Sequence, residues 1–157
     1  MWHPPAPDWE RPRVRNEDLV VLEVRWGDVS VLLPGDIGAE VERDLTTGAA
    51  PAALQVVKVP HHGSAGSSST RFVEAWRPDV AIVSAGRANR FGHPAPDVVR
   101  RYLDAGAAVF NTADEGAITL VTDGHTIDIR TMRGRTLRLK TNRSALGSRL
   151  SALGRNR

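Results

Sequence analysis

The sequence predicts an α/β fold with a mixed sheet. Two observations carry that prediction: strand-like and helix-like runs alternate through the middle of the chain, and hairpin signals stand at both ends. A third is that "DVAIVSAG" (79–86) is almost continuously apolar, as a strand buried on both faces is.

The elements follow in order. "LVVLEVRW" (19–26) and "VSVLLP" (29–34) are β-rich runs on either side of Gly27-Asp28, a two-residue hairpin signal. In "IGAEVERDL", Ile37, Val41 and Leu45 recur at helical spacing. "LQVVKV" (54–59) is a third strand. "SSTRFVEAW" (68–76) is a helix with Phe72, Val73 and Trp76 on one face and serines to cap its first turn. "PDVVRRYLDAG" (96–106) is the clearest helix, with Pro96 in its first turn and Gly106 at its stop. "AAVFNT" (107–112) is a strand. "AITLVT" and "TIDIR" flank Asp123-Gly124, which suits a type I′ turn.

Composition sets the outer bounds. The chain has 157 residues, 41% of them hydrophobic, which suits one globular domain with a real core. No apolar run approaches the ~20 residues of a membrane span. "MWHPPAPDWERPR" has no apolar stretch after a basic one, so it does not read as a signal peptide. Without cysteine there are no disulfides and no thiolate metal ligands. The net charge of +3 is uneven: residues 1–130 hold 13 basic and 18 acidic side chains, and residues 131–157 hold 8 basic and no acidic ones. The expected organisation is an irregular segment over 1–18, a domain over 19–130 and a basic, flexible tail over 131–157. Such a tail can touch nucleic acid or anionic lipid, although solvation alone accounts for its composition.

Three strand-like runs end on polar groups beside glycine. "VSVLLP" leads to Gly35-Asp36, "LQVVKVP" to His61-His62, and "DVAIVSAG" through "RANRF" to Gly92-His93-Pro94. If these strands are parallel neighbours, Asp36, His61, His62 and His93 meet at one edge of the sheet, where open α/β sheets bind ligands. One carboxylate with imidazoles and no sulfur suits zinc, manganese or iron. Ser64, Ser67, Ser68 and Ser69 are candidate partners for the second ring nitrogens or for a substrate. Lys58, Arg87 and Arg90 could neutralise phosphate, though surface ion pairs explain them equally. His3 and His125 have no such context. Taken singly, each feature reads as a turn or capping residue. "HGSAG" misses the G-x-S-x-G nucleophile elbow because position 62 is histidine, and no P-loop is present.

With these motifs in view, the chain closely resembles the C-terminal metallo-β-lactamase-fold domain of ComEC-type DNA-internalisation competence proteins. The resemblance runs from about Arg13 to Ile129 and rests on "GD", "HHGS…SS" and "N-R-F-G-H-P" in that order. It implies an αββα sandwich and a divalent-metal site, usually of two ions, zinc or manganese here. It implies a membrane channel protein that takes up single-stranded DNA at the extracytoplasmic face of the inner membrane, with this domain a nuclease for the other strand. By position, Asp36 matches the bridging carboxylate, and His62 in "VPHHG" matches the late metal ligand. His61 matches its neighbour facing substrate or metal, and His93 a ligand or proton-transfer group, so His61 and His93 are the catalytic candidates.

The family's early H-x-S-x-x-D-x-D-H or H-x-H-x-D-H motif is absent, and its "N-x-x-S" reads Asn16-Glu17-Asp18-Leu19. The expectation is therefore a partial αββα sandwich, the C-terminal half of a hydrolase domain without the membrane portion. Its metal site would be half built, its metal binding weak, its catalysis poor and some of its apolar surface exposed. The alternatives are a non-catalytic remnant that binds nucleic acid or a partner, and a hydrolase of the same fold acting on another substrate.

Overall fold

Four parallel strands set the frame. The computed structural model describes residues 19–141. In chain order its strands are β1 (Leu22–Trp26), β2 (Val29–Leu33), β3 (Leu54–Lys58), β4 (Val80–Val83), β5 (Ala108–Asn111), β6 (Ile118–Thr122), β7 (Thr126–Thr131) and β8 (Thr136–Lys140). The helices are α1 (Ala39–Thr47), α2 (Thr70–Trp76), α3 (Pro96–Asp104) and the single turn α4 (Thr112–Glu115). The first sheet has the order β1-β2-β3-β4-β5, with β1 antiparallel to β2 and the rest parallel. The second is the antiparallel meander β6-β7-β8. The α/β class and the mixed sheet stand as expected.

Each face of the five-stranded sheet buries a core. On one side Leu32, Val57, Val59, Ala81 and Val83 pack with Val41 and Leu45 of α1, Phe72 and Trp76 of α2, and Val98 and Tyr102 of α3. On the other, Val29, Val56, Val80 and Phe110 meet Ile127 and Ile129 of β7. Burial on both faces is why β3 and β4 read as near-continuous apolar runs. The layers are thus helix, sheet, sheet; among the described residues no second helical layer covers the outer face of the meander.

Two expectations change. The tail was placed from 131 onward, yet β7 runs to Thr131 and β8 pairs along it from Thr136 to Lys140. Leu137 and Leu139 turn inward while Arg138 and Lys140 point out, a period-two pattern that the net positive charge concealed. Arg135 anchors the approach: its guanidinium lies 3.9 Å from the Phe110 ring centroid and donates to the Val109 carbonyl and Glu115 Oε1, both at 3.0 Å. Residues 142–157, like 1–18 and His3, lie outside the described residues.

The second change is the turn at Asp123-Gly124. Thr122 pairs with Ile127, so four residues make the connection. Only Gly124 is left-handed there, at φ +89°, whereas a type I′ turn needs both central residues so. The Asp123 carboxylate accepts the backbone N–H of His125 at 2.9 Å and of Thr126 at 2.7 Å, an Asx turn. This loop also fastens the two sheets together. Asp28 N–H donates to the Gly124 carbonyl at 2.7 Å, and the exposed His125 pairs with Asp28 at 3.0 Å. A Cβ on Gly124 would fall 2.3 Å from the Trp26 ring, so only glycine lets the loops close.

The backbone donors hold the Asp123 carboxyl at a pKa of about 2, below its ordinary 3.8. The folded state therefore prefers the ionised form, and the stabilisation is full above pH 3.8 and lost as the pH falls through about 2. In thermal unfolding at a series of pH values, the deficit of Asp123→Ala relative to the parent chain should be constant above pH ~4 and vanish near pH ~2.

Candidate active site at the carboxyl edge

Because β2, β3 and β4 run in parallel, their following loops leave the sheet on the same edge. Asp36 follows β2, His61 and His62 follow β3, and His93 ends the longer loop after β4. His62 Nε2 lies 3.5 Å from Asp36 Oδ2. His62 Nδ1 is 2.6 Å from the Ser84 carbonyl, which fixes Nδ1 as the protonated nitrogen and leaves Nε2 free to bind. The His61 ring meets His93 edge to face, centroids 6.0 Å apart. His62 and His93 both line a cavity of about 460 Å³, with Ser84, Asn89, Phe91 and Thr112 also on its wall. His61 does not line it, and reaches it only through His93.

The Pro60–Gly63 turn is strained. His61 (φ 46°, ψ 42°) and His62 (φ 54°, ψ 16°) are both left-handed, followed by Gly63 at φ +85°. For residues with a Cβ this costs on the order of 1–2 kcal/mol each. Neighbouring groups hold the turn. His61 N–H donates to the Gly35 carbonyl at 3.0 Å, joining the loops after β2 and β3. Ala95 N–H donates to the Gly63 carbonyl at 2.8 Å, and a Cβ on Gly63 would come within 2.6 Å of the Pro94 side chain.

None of Ser64, Ser67, Ser68 and Ser69 orients His62; the Ser84 carbonyl does. Ser67 Oγ donates to the Pro60 and Ser64 carbonyls at 3.0 and 2.9 Å, and Ser69 Oγ caps α2 by accepting from Phe72 N–H at 3.3 Å. Behind them lies Glu42 of α1, fully buried, whose carboxylate accepts the backbone N–H of Ser68 and, at 2.8 Å, of Ser69. Tyr102 Oη donates to Ser68 Oγ at 3.1 Å, and Arg101 donates to the Ser68 carbonyl at 2.7 Å. Burial pushes the Tyr102 hydroxyl pKa well above its ordinary value, so it remains a donor. Nothing in the residue pattern of α1 marks Glu42, because its partners are backbone groups 26 and 27 positions away. Asn89 opens the "N-R-F-G-H-P" motif, but nothing in the residue pattern assigns it a role. Its side chain accepts from His93 N–H at 3.0 Å and donates to the His93 carbonyl at 2.6 Å, holding that loop on both sides.

Of the three expected phosphate-neutralising cations, Lys58 stands 3.6 Å from Asp36 Oδ1. Burial lowers its pKa, and Asp36 opposes that in part. Arg87 donates to the Ala113 carbonyl at 2.9 Å, and Arg90 lies over the Phe91 ring.

Asp36 and His62 have the chemistry for a divalent ion such as zinc or manganese. Two donors each about 2.1 Å from a tetrahedral ion are about 3.4 Å apart, close to the separation of these two atoms. They do not complete a site: among the described residues no group of three or more His, Cys, Asp or Glu could hold a metal. A catalytic zinc takes three protein ligands.

These features define an α/β domain with an Asp–His site at the carboxyl edge of its parallel strands. No family model matches the chain. It is 35% identical to ComE operon protein 3 of Bacillus subtilis over 115 residues, 73% of this chain and 14% of that protein. It is 38% identical to Recombination protein 2 of Haemophilus influenzae over 106 residues, 68% of this chain and 13% of that one. With Competence protein ComA of Neisseria gonorrhoeae the identity is 35% over 105 residues, 66% and 15%. The matched segment belongs to the ComEC-type competence-protein family. The chain spans only 13–15% of the length of these relatives. No helix among its described residues is long and apolar enough to cross a membrane.

Two substitutions test how the site is held. Glu42→Gln leaves one buried donor without an acceptor and should cost about 2 kcal/mol in urea denaturation. Asparagine tolerates the left-handed region better than alanine, so His61→Asn should be more stable than His61→Ala by about 0.5–1 kcal/mol.

Proposed function

We propose that this chain is part of a metal-dependent phosphodiesterase domain of a DNA-uptake protein, with a metallo-β-lactamase-like fold. The observation that carries the reading is the pairing of Asp36 with His62, the imidazole locked by Ser84, at the edge where the His93 loop closes a cavity. The three relatives are named for competence or recombination. DNA as substrate, the channel portion and the extracytoplasmic face of the inner membrane come from the family likeness and are part of the proposal.

Asp36 and His62 are the proposed ligands, with the rest of the sphere supplied by groups beyond the described residues. A bound divalent ion would supply Lewis-acid chemistry at a phosphoryl oxygen. Lys58 offsets the Asp36 charge and offers a cation to a phosphate. His93, at the cavity wall and in contact with His61, is placed to accept or deliver a proton, and His61 to orient it. Asn89 keeps the His93 backbone in place while the ring acts.

Calorimetric titration of the chain with zinc or manganese tests the ligand assignment. Binding should be weaker than at a complete three-ligand site and should fall more than tenfold in both Asp36→Ala and His62→Ala. Equal affinity in the parent and both variants would overturn the assignment.

A further inference from the structure

We propose that Phe91, with Arg90 beside it, is a stacking platform for one unpaired nucleobase whose phosphate lies toward His62 and Asp36. The inference rests on the phosphodiesterase reading and sharpens its substrate class to single-stranded nucleic acid.

Phe91 is 66% exposed, on a loop whose other residues are polar or small. It contributes nothing to either core. Its ring nevertheless has a neighbour. It stacks on His93 with centroids 5.8 Å apart and 18° between planes, and Asn89 pins the His93 backbone. An exposed aromatic supported by a second ring is a better platform for a planar ligand than a free side chain.

The surroundings match a nucleotide. Phe91 and His93 form one wall of the cavity of about 460 Å³, which is within the range of small-molecule sites. Ala85 and Gly86 line it as small residues, while Asn89 and Thr112 are held in place by bonds to the backbone of Gly86, His93 and Ala85. The Arg90 guanidinium lies over the ring, 4.8 Å from the Phe91 centroid; a base would take its place there, and the freed guanidinium would cover the base or turn to a phosphate. His62 opens onto the same cavity and leads to Asp36. A base inside a duplex has both faces covered, so only an unpaired or extruded base can lie on Phe91. Since every base has a π face, the platform should be indifferent to sequence.

Fluorescence anisotropy on the full chain tests this, using a short single strand, the same strand with abasic sites, and the corresponding duplex at one salt concentration. Phosphate contacts are shared by the base-bearing and abasic strands, so their difference isolates stacking. The parent should prefer the base-bearing strand about tenfold over the abasic one. Phe91→Ala should lose that preference at an unchanged thermal midpoint, and Phe91→Trp should keep it. No preference in the parent, no binding of either strand, or an unchanged preference in Phe91→Ala would overturn the platform. Calorimetric titration with zinc separates the two readings. If Asp36→Ala leaves zinc binding unchanged while the base preference holds, the metal-dependent reading fails and the platform stands. If zinc binding depends on Asp36 but Phe91→Ala keeps the preference, the platform alone fails.

Discussion

The parallel pairing of β2, β3 and β4 is the constraint on which the rest depends. Parallel strands leave their carboxyl ends on one edge, and the three loops that begin there carry Asp36, His62 and His93. That brings Asp36 within 3.5 Å of His62, and His62 and His93 to one cavity. The pairing requires both faces of the sheet to be covered, since unsatisfied apolar faces would undo it. α1, α2 and α3 cover one face, and the β6–β8 meander covers the other at β3 to β5.

A second layer of organisation concerns strain. Two consecutive histidines in the left-handed region are unfavourable in an isolated peptide, so the turn persists only because its surroundings over-determine it. The following serine loop hangs on a single buried carboxylate from α1, with Tyr102 and Arg101 of α3 tightening it. Packing of the helical face and placement of the site are thus one structure. A helix whose spacing announces only a core face also delivers the acceptor that fixes the loop at the carboxyl edge.

Among the described residues, coverage of the inner sheet face is uneven. β1 is an edge strand, and Leu22, Val24 and Trp26 are exposed on the face they share with Leu33, Val31 and Val29 of β2. Val29 and Val31 belong to the inter-sheet core, and the apolar face continues past the meander on the β1 side. Among the described residues this strip is present together with an Asp–His pair that no third carboxylate or imidazole completes as a metal site.

The sequence by itself determined the α/β class, the order of the elements and the four polar residues at strand ends. Those signals are local: periodicity, glycine beside a polar group, and proline at helix starts need only neighbouring residues. It misjudged β8 because charge masked a short alternation, and it misjudged the Asp123 turn because a side chain, not a pair of left-handed residues, closes it. Only the tertiary structure decided which groups serve which. The Ser84 carbonyl rather than a serine hydroxyl orients His62, Glu42 holds the serine loop, and His61 stands behind His93 rather than at the cavity. Each of these is a contact between side chain and distant backbone, or between rings brought together by strand pairing. Its existence depends on register and layer packing, which no local residue pattern encodes.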